Sequence, residues 1–365
     1  MRLNDFDVVQ FEVPMRGNYA SSKHAALSTM ESVLVTLETA DGARGIATAD
    51  PSPGYSRQTP GDVAAEVERA LPAVLDDPPT HLNGLRDRLD GVEGVGPNTA
   101  FAVETAFLDL YGREHGLGVA DLFGGTDREE EPLNAWVGID DPGAMADEAA
   151  EWLDRGFTSC KLKLSGDLEA DVARLRRVTE RVGDRMAVRA DVNGGYDDVE
   201  AAIELAQSAE PLGLAHLEQP VPQGNLDGLA RLTESTSTTI MADEPVTDLD
   251  ALFEILRRGA ADRVKLKTLR LGGLRACQAA IDVAAAAGVQ PVVGHGFCLS
   301  PAAAAELALV AANDAVFRPV ETVGPLKMAE EPFEPALSME DGTVRLPDGP
   351  GIGVRLDDDA LEQFR

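Results

Sequence analysis

Lysine is scarce in this chain, with only six among 365 residues, and basic residues as a whole are outnumbered. Lysine and arginine together number 32 against 63 aspartates and glutamates, which gives a formal net charge of −31. Such a surface repels phosphates and anionic headgroups, so we expect neither nucleic acid nor a membrane as a partner. The acidic residues are spread along the chain, which favours a halophilic protein over the alternative of an ordinary acidic cytosolic one.

Cysteine and long apolar runs are also lacking. The three cysteines, Cys160, Cys277 and Cys298, are far apart and odd in number, so they form neither a disulfide framework nor a zinc pattern. There is no apolar run of about 18 residues and no N-terminus typical of a secretory signal. We therefore expect a soluble, cytoplasmic protein, with one barrel-sized domain and a smaller one.

Four of the six lysines fall in two short segments, Cys160–Leu164 (CKLKL) and Val264–Thr268 (VKLKT). Both segments alternate, so each is predicted to be a strand with its two lysines on one face. Arginine cannot replace lysine where a side chain must give up its proton, because the guanidinium stays charged. Lysines retained in a lysine-poor chain therefore indicate proton transfer; the alternative is a pair of edge strands protected by lysine.

The pattern of the chain changes near residue 132. Residues 1–131 are predicted to form an antiparallel sheet followed by helices, including an apolar helix over 99–115. Short apolar runs then alternate with helical segments, which predicts an α/β barrel of seven βα units and an eighth strand over 132–325. The predicted strands are 133–139, 159–164, 186–192, 215–218, 239–242, 263–269, 290–294 and 316–322. The tail, 326–365, has hairpin-like turns and is expected to return to the first domain.

Five of these strands in succession end in a charged residue: Lys163, Asp191, Glu218, Asp243 and Lys267. Their separations are 28, 27, 25 and 24 residues, one βα unit each, and a barrel brings such residues together at its active-site mouth. Three carboxylates that converge on one spot repel one another unless a cation holds them. Oxygen ligands without cysteine or a required histidine favour Mg²⁺, with Mn²⁺ as the other choice.

This arrangement predicts a reaction on a small carboxylate substrate. A metal held by the carboxylates would stabilise the extra charge of an enediolate, while a lysine on either face takes or returns the α-proton. Lys161 is expected to lower the pKa of Lys163 and make it a usable base. Structural ion pairs across the barrel are the alternative, which the usually apolar interior of such barrels disfavours.

These residues resemble the motifs of the enolase superfamily, and within it the muconate lactonizing subgroup; lysine bases beside Mg²⁺ are known chemistry of that superfamily. The resemblance covers nearly the whole chain. It rests on Lys161-Leu-Lys163, Asp191-Val-Asn193, Glu218-Gln-Pro220, Ala242-Asp-Glu244, Lys267 five residues before Gly272-Gly273, and the helix Glu104-Thr-Ala-Phe-Leu-Asp-Leu.

The resemblance implies a (β/α)7β modified TIM barrel under an α+β capping domain, which is built from residues 1–131 and the tail 326–365. It implies that three carboxylates bind the metal, that two residues lie beside those ligands, and that two lysines form the acid/base pair. The ligands are Asp191, Glu218 and Asp243, their neighbours are Asn193 and Glu244, and the pair is Lys163 and Lys267, tuned by Lys161. The family also implies a homo-oligomer.

Members of this subgroup share these residues but catalyse different reactions. Val320-Glu-Thr-Val-Gly-Pro-Leu326 is similar to the eighth-strand segment of muconate cycloisomerases, and we find no Asp-x-Asp pair near it of the kind usual in dipeptide epimerases. We therefore expect muconate cycloisomerase-like isomerisation or lactonisation of a small carboxylate. The alternatives are a racemase or epimerase of a dipeptide or N-substituted amino acid, a dehydratase, and a catalytically silent metal-binding scaffold.

Substrate contacts are expected from His295, Glu321, Arg16, Tyr19 and Tyr55. His295 follows the seventh strand, where mandelate racemase-like relatives carry a catalytic histidine, but Lys267 replaces the acid that would pair with it. We therefore assign it no catalysis. Glu321 is equally consistent with a structural carboxylate. The other three lie in loops, 15–19 and 51–57, rich in glycine, proline and arginine; plain surface loops are the alternative, and the role of Lys265 stays open.

Overall fold

The structure is a computed structural model that describes residues 3–21 and 24–365, with side chains described for 3–17 and 27–365. Its N-terminal part is an antiparallel sheet in the order β1-β2-β3, which helices cover on one face. The elements are β1 (Leu3–Ser21), β2 (His24–Thr39), β3 (Arg44–Ala49), α1 (Pro60–Asp76), α2 (Leu82–Asp90) and α3 (Pro97–His115). Alternating Val33, Val35 and Leu37 of β2 are buried against these helices, as expected for a half-buried strand.

The next part alternates strands and helices, and β5 to β11 form one parallel sheet in sequence order. The strands are β4 (Glu130–Pro132), β5 (Ala135–Val137), β6 (Ser159–Lys163), β7 (Ala187–Asp191), β8 (His216–Glu218), β9 (Ile240–Ala242), β10 (Arg263–Leu266) and β11 (Gln290–Val293). The helices are α4 (Pro142–Asp154), α5 (Leu168–Val182), α6 (Val199–Ala209), α7 (Leu226–Glu234), α8 (Leu249–Arg258), α9 (Thr268–Leu271), α10 (Leu274–Ala286) and α11 (Ser300–Ala311). The predicted barrel class is confirmed.

Two predicted strands differ in detail. The sixth strand was expected to reach Leu269, but it ends at Leu266, because the carbonyl of Lys267 accepts the N–H groups of Arg270 and Leu271, both at 3.0 Å, and starts α9. The eighth run, 316–322, is joined to its neighbours by isolated hydrogen bonds and forms no regular strand. Val320 makes a single parallel bridge to Leu133, and Pro319 has no N–H to extend it.

The C-terminal segment runs back to the N-terminal part. It contains β12 (Phe333–Glu334), β13 (Met339–Glu340), β14 (Thr343–Arg345), β15 (Arg355–Leu356) and α12 (Asp358–Leu361), and β14 pairs with both β13 and β4. Met328 bridges to Met15, and the N–H of Glu12 donates to the carbonyl of Phe364 at 3.0 Å. These contacts join the tail to residues of β1, while the division of the chain into domains at 131/132 and 325/326 stays a prediction.

Two carboxylates from outside the barrel cap the N-terminus of α11. The N–H of Leu299 donates to Asp50 at the end of β3, at 2.9 Å, and the N–H of Ser300 donates to Glu331 of the C-terminal segment, at 2.8 Å. The first N–H groups of a helix have no partner within the helix and attract negative charge. Burial raises the pKa of the Glu331 carboxyl to about 7, helped by the charge of Asp50.

Replacing Glu331 with glutamine is expected to change how stability depends on pH. The pKa of the carboxyl is about 7 in the folded protein against an ordinary 4.5, so the folded state holds the extra proton between these values. The free energy of unfolding of the wild type should therefore fall relative to that of Glu331→Gln as the pH rises from about 4.5 to 7. Urea unfolding at several pH values measures this difference; a constant difference would contradict the raised pKa.

Candidate active site at the mouth of the barrel

The five strand-end residues lie side by side. Strands β6 to β10 are neighbours in the sheet, and the register pairs Lys163 with Asp191 and Asp191 with Glu218. Asp243 and Lys267 follow the last residues of β9 and β10 directly. The three carboxylates are buried, with 1%, 0% and 2% of their surface exposed in chain order. The structure therefore brings the sequence-predicted row together, with a lysine at each end.

Each end lysine forms an ion pair with the nearest carboxylate. The Nζ atom of Lys163 lies 2.5 Å from Asp191 Oδ2 and 2.8 Å from Asn193 Oδ1. At the other end, Lys267 Nζ lies 2.7 Å from Asp243 Oδ2. Burial is the largest influence and acts to lower the pKa of Lys163, but the charge of Asp191 together with smaller contributions from Tyr55 and Glu218 raises it overall. Lys161 acts to lower this pKa, in the expected direction, although the nearby negative charges act against it.

The negative charge of Glu218, the middle carboxylate of the row, is only partly balanced by nearby positive charge. Burial, followed by the Asp191 charge, raises the pKa of Glu218 to about 8. Its Oε1 atom is buried and has no hydrogen-bond partner within the described part of the chain. For Asp243, burial acts to raise the pKa, but Lys267 and Arg270 hold it well below the usual range. An unpartnered carboxylate oxygen beside further buried carboxylates fits a hard divalent cation.

Asn193 and Glu244, which were predicted to lie beside the ligands, are bonded to each other. Asn193 Nδ2 donates to Glu244 Oε1 at 3.2 Å, and its other side-chain atom accepts from Lys163. The backbone of Asn193 has φ 51°, a left-handed conformation that asparagine tolerates better than most residues. Burial raises the pKa of Glu244, and the charges of Asp243 and Asp191 add to this effect. The pair connects Lys163 at one end of the row with the loop after β9.

A second charged layer lies one step deeper in the barrel, around Glu321. Lys161 and Lys265 donate to Glu321 Oε2 at 2.6 and 2.7 Å, and Arg189 donates to Oε1 at 3.0 Å. Lys161 also reaches Glu218 at 3.0 Å. Glu321 is 4% exposed, and three cations hold its pKa well below the usual range against the effect of burial. These contacts favour the structural alternative for Glu321 and give Lys265 a place in the same network.

Within the described residues, the ligand atoms that lie within 4.8 Å of one another belong to His216, Glu218 and Glu321, and those of the row are more widely spaced. Glu321, however, is already surrounded by three cationic side chains. His216 Nδ1 lies 3.0 Å from Arg263, and burial, then Arg189, lowers the pKa of His216 well below its usual value. A cation at this deeper position would meet like charges, so we favour the row of carboxylates at the mouth.

The predicted substrate contacts fall in different places. Tyr55 lies beside the site, with its ring centroid 5.7 Å from Lys267 Nζ. His295 Nδ1 lies 3.2 Å from Glu306, a fully buried carboxylate of α11, so the histidine is not without an acid partner. Arg16 donates to the carbonyl of Met328 at 2.7 Å. Tyr19 lies outside the residues whose side chains are described.

Sequence reasoning missed several charged residues of the site. Arg189 and His216 lie two residues before Asp191 and Glu218 on the same strands, so the two-residue period of a strand could have placed them on the same face. Arg270 donates to Asp243 Oδ1 at 2.7 Å; it was missed because a strand was predicted as far as residue 269, where the short helix α9 instead turns Arg270 back toward the site. Lys327 Nζ lies 4.0 Å from the Phe297 ring centroid; the scarcity of lysine was the available signal.

Replacing Glu321 with glutamine is expected to destabilise the fold strongly. The change leaves three buried cations without their shared carboxylate, and breaking such a buried pair typically costs about 3 to 5 kcal/mol. Glu254→Gln is the control, because Glu254 pairs with Arg257 on the surface, where solvent and salt screen an ion pair and it contributes little. Urea unfolding measures both, and equal small effects would contradict the importance of the buried network.

Within the described residues, no helix is long and apolar enough to cross a membrane.

Two family descriptions match the chain. Residues 7–124 match the mandelate racemase / muconate lactonizing enzyme N-terminal domain, and residues 144–360 match the enolase C-terminal domain-like family.

Similar proteins extend over the whole chain. N-succinyl-L-Arg/Lys racemase of Bacillus cereus is 28% identical over 100% of this chain and 98% of its own, and its crystal structure superimposes with a TM-score of 0.93. Chloromuconate cycloisomerase of Delftia acidovorans is 30% identical over 92% of this chain and 91% of its own.

A muconate lactonizing enzyme from Pseudomonas fluorescens, solved with muconolactone, has a TM-score of 0.93 at 26% identity and covers 100% of this chain and 99% of its own. Cycloisomerases and racemases are isomerases, and both are similar to this chain over nearly its full length. The chain therefore belongs to the enolase superfamily, as an isomerase of the mandelate racemase / muconate lactonizing enzyme family.

Proposed function

We propose that this protein moves a proton on and off the carbon next to a substrate carboxylate, with Lys163 and Lys267 as the two acid/base groups. One observation carries the proposal: the two ammonium groups lie at opposite ends of a single row of three buried carboxylates. A substrate carboxylate held at the middle of that row would present its α-carbon between two proton carriers. This geometry suits general acid–base catalysis on either face of the carbon.

Each lysine has neighbours suited to this role. Lys163 Nζ donates hydrogen bonds to both Asp191 and Asn193. The side-chain amide of Asn193 therefore holds the Nζ atom in place when the Asp191 carboxylate contacts another group. Lys267 lies against Tyr55, whose ring covers it from the capping side. Lys161 contributes positive charge beside Glu218 and favours the neutral form of Lys163. Lysine serves here because it can lose its proton, which arginine does not.

We propose Asp191, Glu218 and Asp243 as the residues that hold Mg²⁺, with Mn²⁺ as a substitute. When bound, the ion would stabilise the negative charge that develops on the substrate carboxylate as the α-proton leaves. The buried, unpartnered Glu218 Oε1 supports this assignment. Asn193 and Glu244 would orient the row from behind, and Arg270 holds Asp243 Oδ1 in place.

Two reactions use this machinery differently. In lactone formation, one carboxylate oxygen of a diacid adds to a carbon–carbon double bond, and one lysine delivers a proton to the carbon beside the other carboxylate. In racemisation, one lysine removes the proton and the other returns it to the opposite face. We place cycloisomerisation first, because the Glu321-to-Leu326 segment is similar to that of muconate cycloisomerases. Racemisation of an N-substituted amino acid is the second candidate, supported by the equivalent lysine at each end.

Arginine in place of either lysine is expected to remove proton transfer on one face. Lys163→Arg and Lys267→Arg keep the charge but cannot act as a base, so the rate through the affected lysine should fall by about 10² to 10⁴. NMR measures this rate as the incorporation of solvent deuterium. The substrates are a diacid lactone and both enantiomers of an N-succinyl amino acid.

The two candidate reactions predict different patterns in these variants. In a racemase, both variants should lose inversion of configuration, and each should keep proton exchange of one enantiomer. In a cycloisomerase, the wild type should form lactone, and this activity should be lost mainly in one of the two variants. Arg231→Gln is the control, because Arg231 is exposed on α7 and pairs with Glu200 of α6, away from the row. Unchanged proton exchange in both lysine variants would overturn the proposal and leave the silent scaffold.

Metal binding is expected at one ion per chain. Because Glu218 must lose its proton and its pKa is about 8, the apparent affinity for Mg²⁺ should rise with pH up to about 8, by at most about tenfold per unit. Calorimetric titration after chelation measures this, and the melting temperature should rise with added Mg²⁺ in the wild type. Glu218→Gln should weaken binding, whereas Glu254→Gln should not. Equal affinity in both variants would contradict the assignment.

A further inference from the structure

One acidic side chain of the N-terminal part contacts the N-terminus of the barrel helix α10. Glu104 lies in the middle of α3, is 4% exposed, and accepts the N–H of Arg275 at 2.9 Å. Arg275 is the second residue of α10, so Glu104 satisfies an N–H group that the helix itself leaves without a partner. A carboxylate at a helix N-terminus is also favoured by the helix dipole.

The turn before α10 is shaped around this carboxylate. Gly273 has φ 143°, and a Cβ atom built on it would lie 2.5 Å from Glu104 Oε1. Any side chain at this position would therefore collide with the carboxylate. A glycine that admits a neighbour so closely indicates that Glu104 and the turn pack as one unit.

A short run of hydrogen bonds connects that turn to Lys267. The N–H of Gly273 donates to the carbonyl of Thr268 at 3.0 Å, and the carbonyl of Lys267 accepts from Arg270 and Leu271. Only α9 (Thr268–Leu271) separates Lys267 from the glycine pair. A displacement of the turn therefore changes where α9 begins, and with it the direction of the Lys267 side chain.

Lys163 is supported differently. The loop that follows β6 is held by Asp171 of α5, which accepts the N–H groups of Ser165 and Gly166, each at 2.9 Å. These contacts lie within the barrel and involve no residue of the capping domain. The two lysines of the row thus depend on separate supports.

We propose that Glu104 is a positioning residue for Lys267 and gives no such support to Lys163. The inference rests on the proposed function for the role of Lys267, but the contacts themselves do not. Misplacing a reacting group by about 1 Å can cost roughly a hundredfold in rate. Loss of Glu104 should therefore impair one face of the substrate selectively.

Two variants disturb this contact from opposite sides. Glu104→Gln removes the charge while keeping the size, and Gly273→Ala pushes a methyl group toward the carboxylate. Asp109→Asn is the matched control, because Asp109 lies in the same helix, is fully buried, and accepts the N–H groups of Ile46 and Ile352, both at 2.9 Å. It contacts the C-terminal segment and β3 instead of the turn before α10.

Lysine scarcity makes the test direct, since protein labelled with ¹³C only at lysine has six labelled residues. The ε-methylene signals of Lys163 and Lys267 are assigned from their disappearance in Lys163→Arg and Lys267→Arg. In Glu104→Gln and Gly273→Ala the Lys267 signal should move while the Lys163 signal stays, and Asp109→Asn should move neither. An unmoved Lys267 signal in both folded variants, or equal movement of both lysines, would overturn the proposal.

Proton exchange supplies the second readout. Each lysine is responsible for the proton exchange that is lost when it is replaced with arginine. In Glu104→Gln, the exchange rate that depends on Lys267 should fall about tenfold to a hundredfold. The exchange rate that depends on Lys163 should stay within about twofold of the wild type. An equal fall on both faces, matched by Asp109→Asn, would show a general structural effect and refute the positioning role. A wild type without any exchange would refute the proposed function, whereas the lysine signals would still decide the role of Glu104.

Discussion

Compensation of buried charge is the constraint on which this barrel depends. Its interior contains acidic and basic side chains at two levels, and burying an unpaired charge is costly. At the deeper level Glu321 is bonded to Lys161, Lys265 and Arg189, which come from three different strands. The resulting ion pairs cross the barrel and join the irregular eighth segment to the regular sheet. At the upper level the compensation is incomplete around Glu218, and this is where the chemistry is proposed.

The separation of the charged side chains into two layers explains how a stable barrel can also contain reactive groups. Residues two apart on a strand face the same side, so Lys161 and Lys163, or Lys265 and Lys267, belong to successive layers. The lower member of each pair is fixed by Glu321, while the upper member contacts a carboxylate of the row. Structure and proposed catalysis are therefore assigned to different layers of the same strands.

Much of this arrangement could be predicted from the sequence, because it follows from local periodicity. The spacing of one βα unit placed Lys163, Asp191, Glu218, Asp243 and Lys267 at strand ends, and the structure brings them together. Predictions were weaker where backbone geometry departs from a regular period. Periodicity alone did not reveal that α9 begins directly after Lys267, which hid Arg270, or that the eighth segment makes only isolated hydrogen bonds. Contacts between remote parts of the chain, such as Glu104 with Arg275 and Asp50 with Leu299, give no local signal in the sequence.

The burial of the charged layers has a consequence for the relation between this protein and its solvent. Mobile ions screen exposed charges over about 10 Å at moderate salt, but they act much less on pairs enclosed in the protein. Most acidic side chains of the chain are not buried, whereas four of the five lysines whose side chains are described form ion pairs with buried carboxylates of the barrel. Changes in ionic strength would thus alter how the molecules repel one another while the field around the row of carboxylates stays nearly constant. The composition of the surface could then adapt to the environment without any retuning of the site.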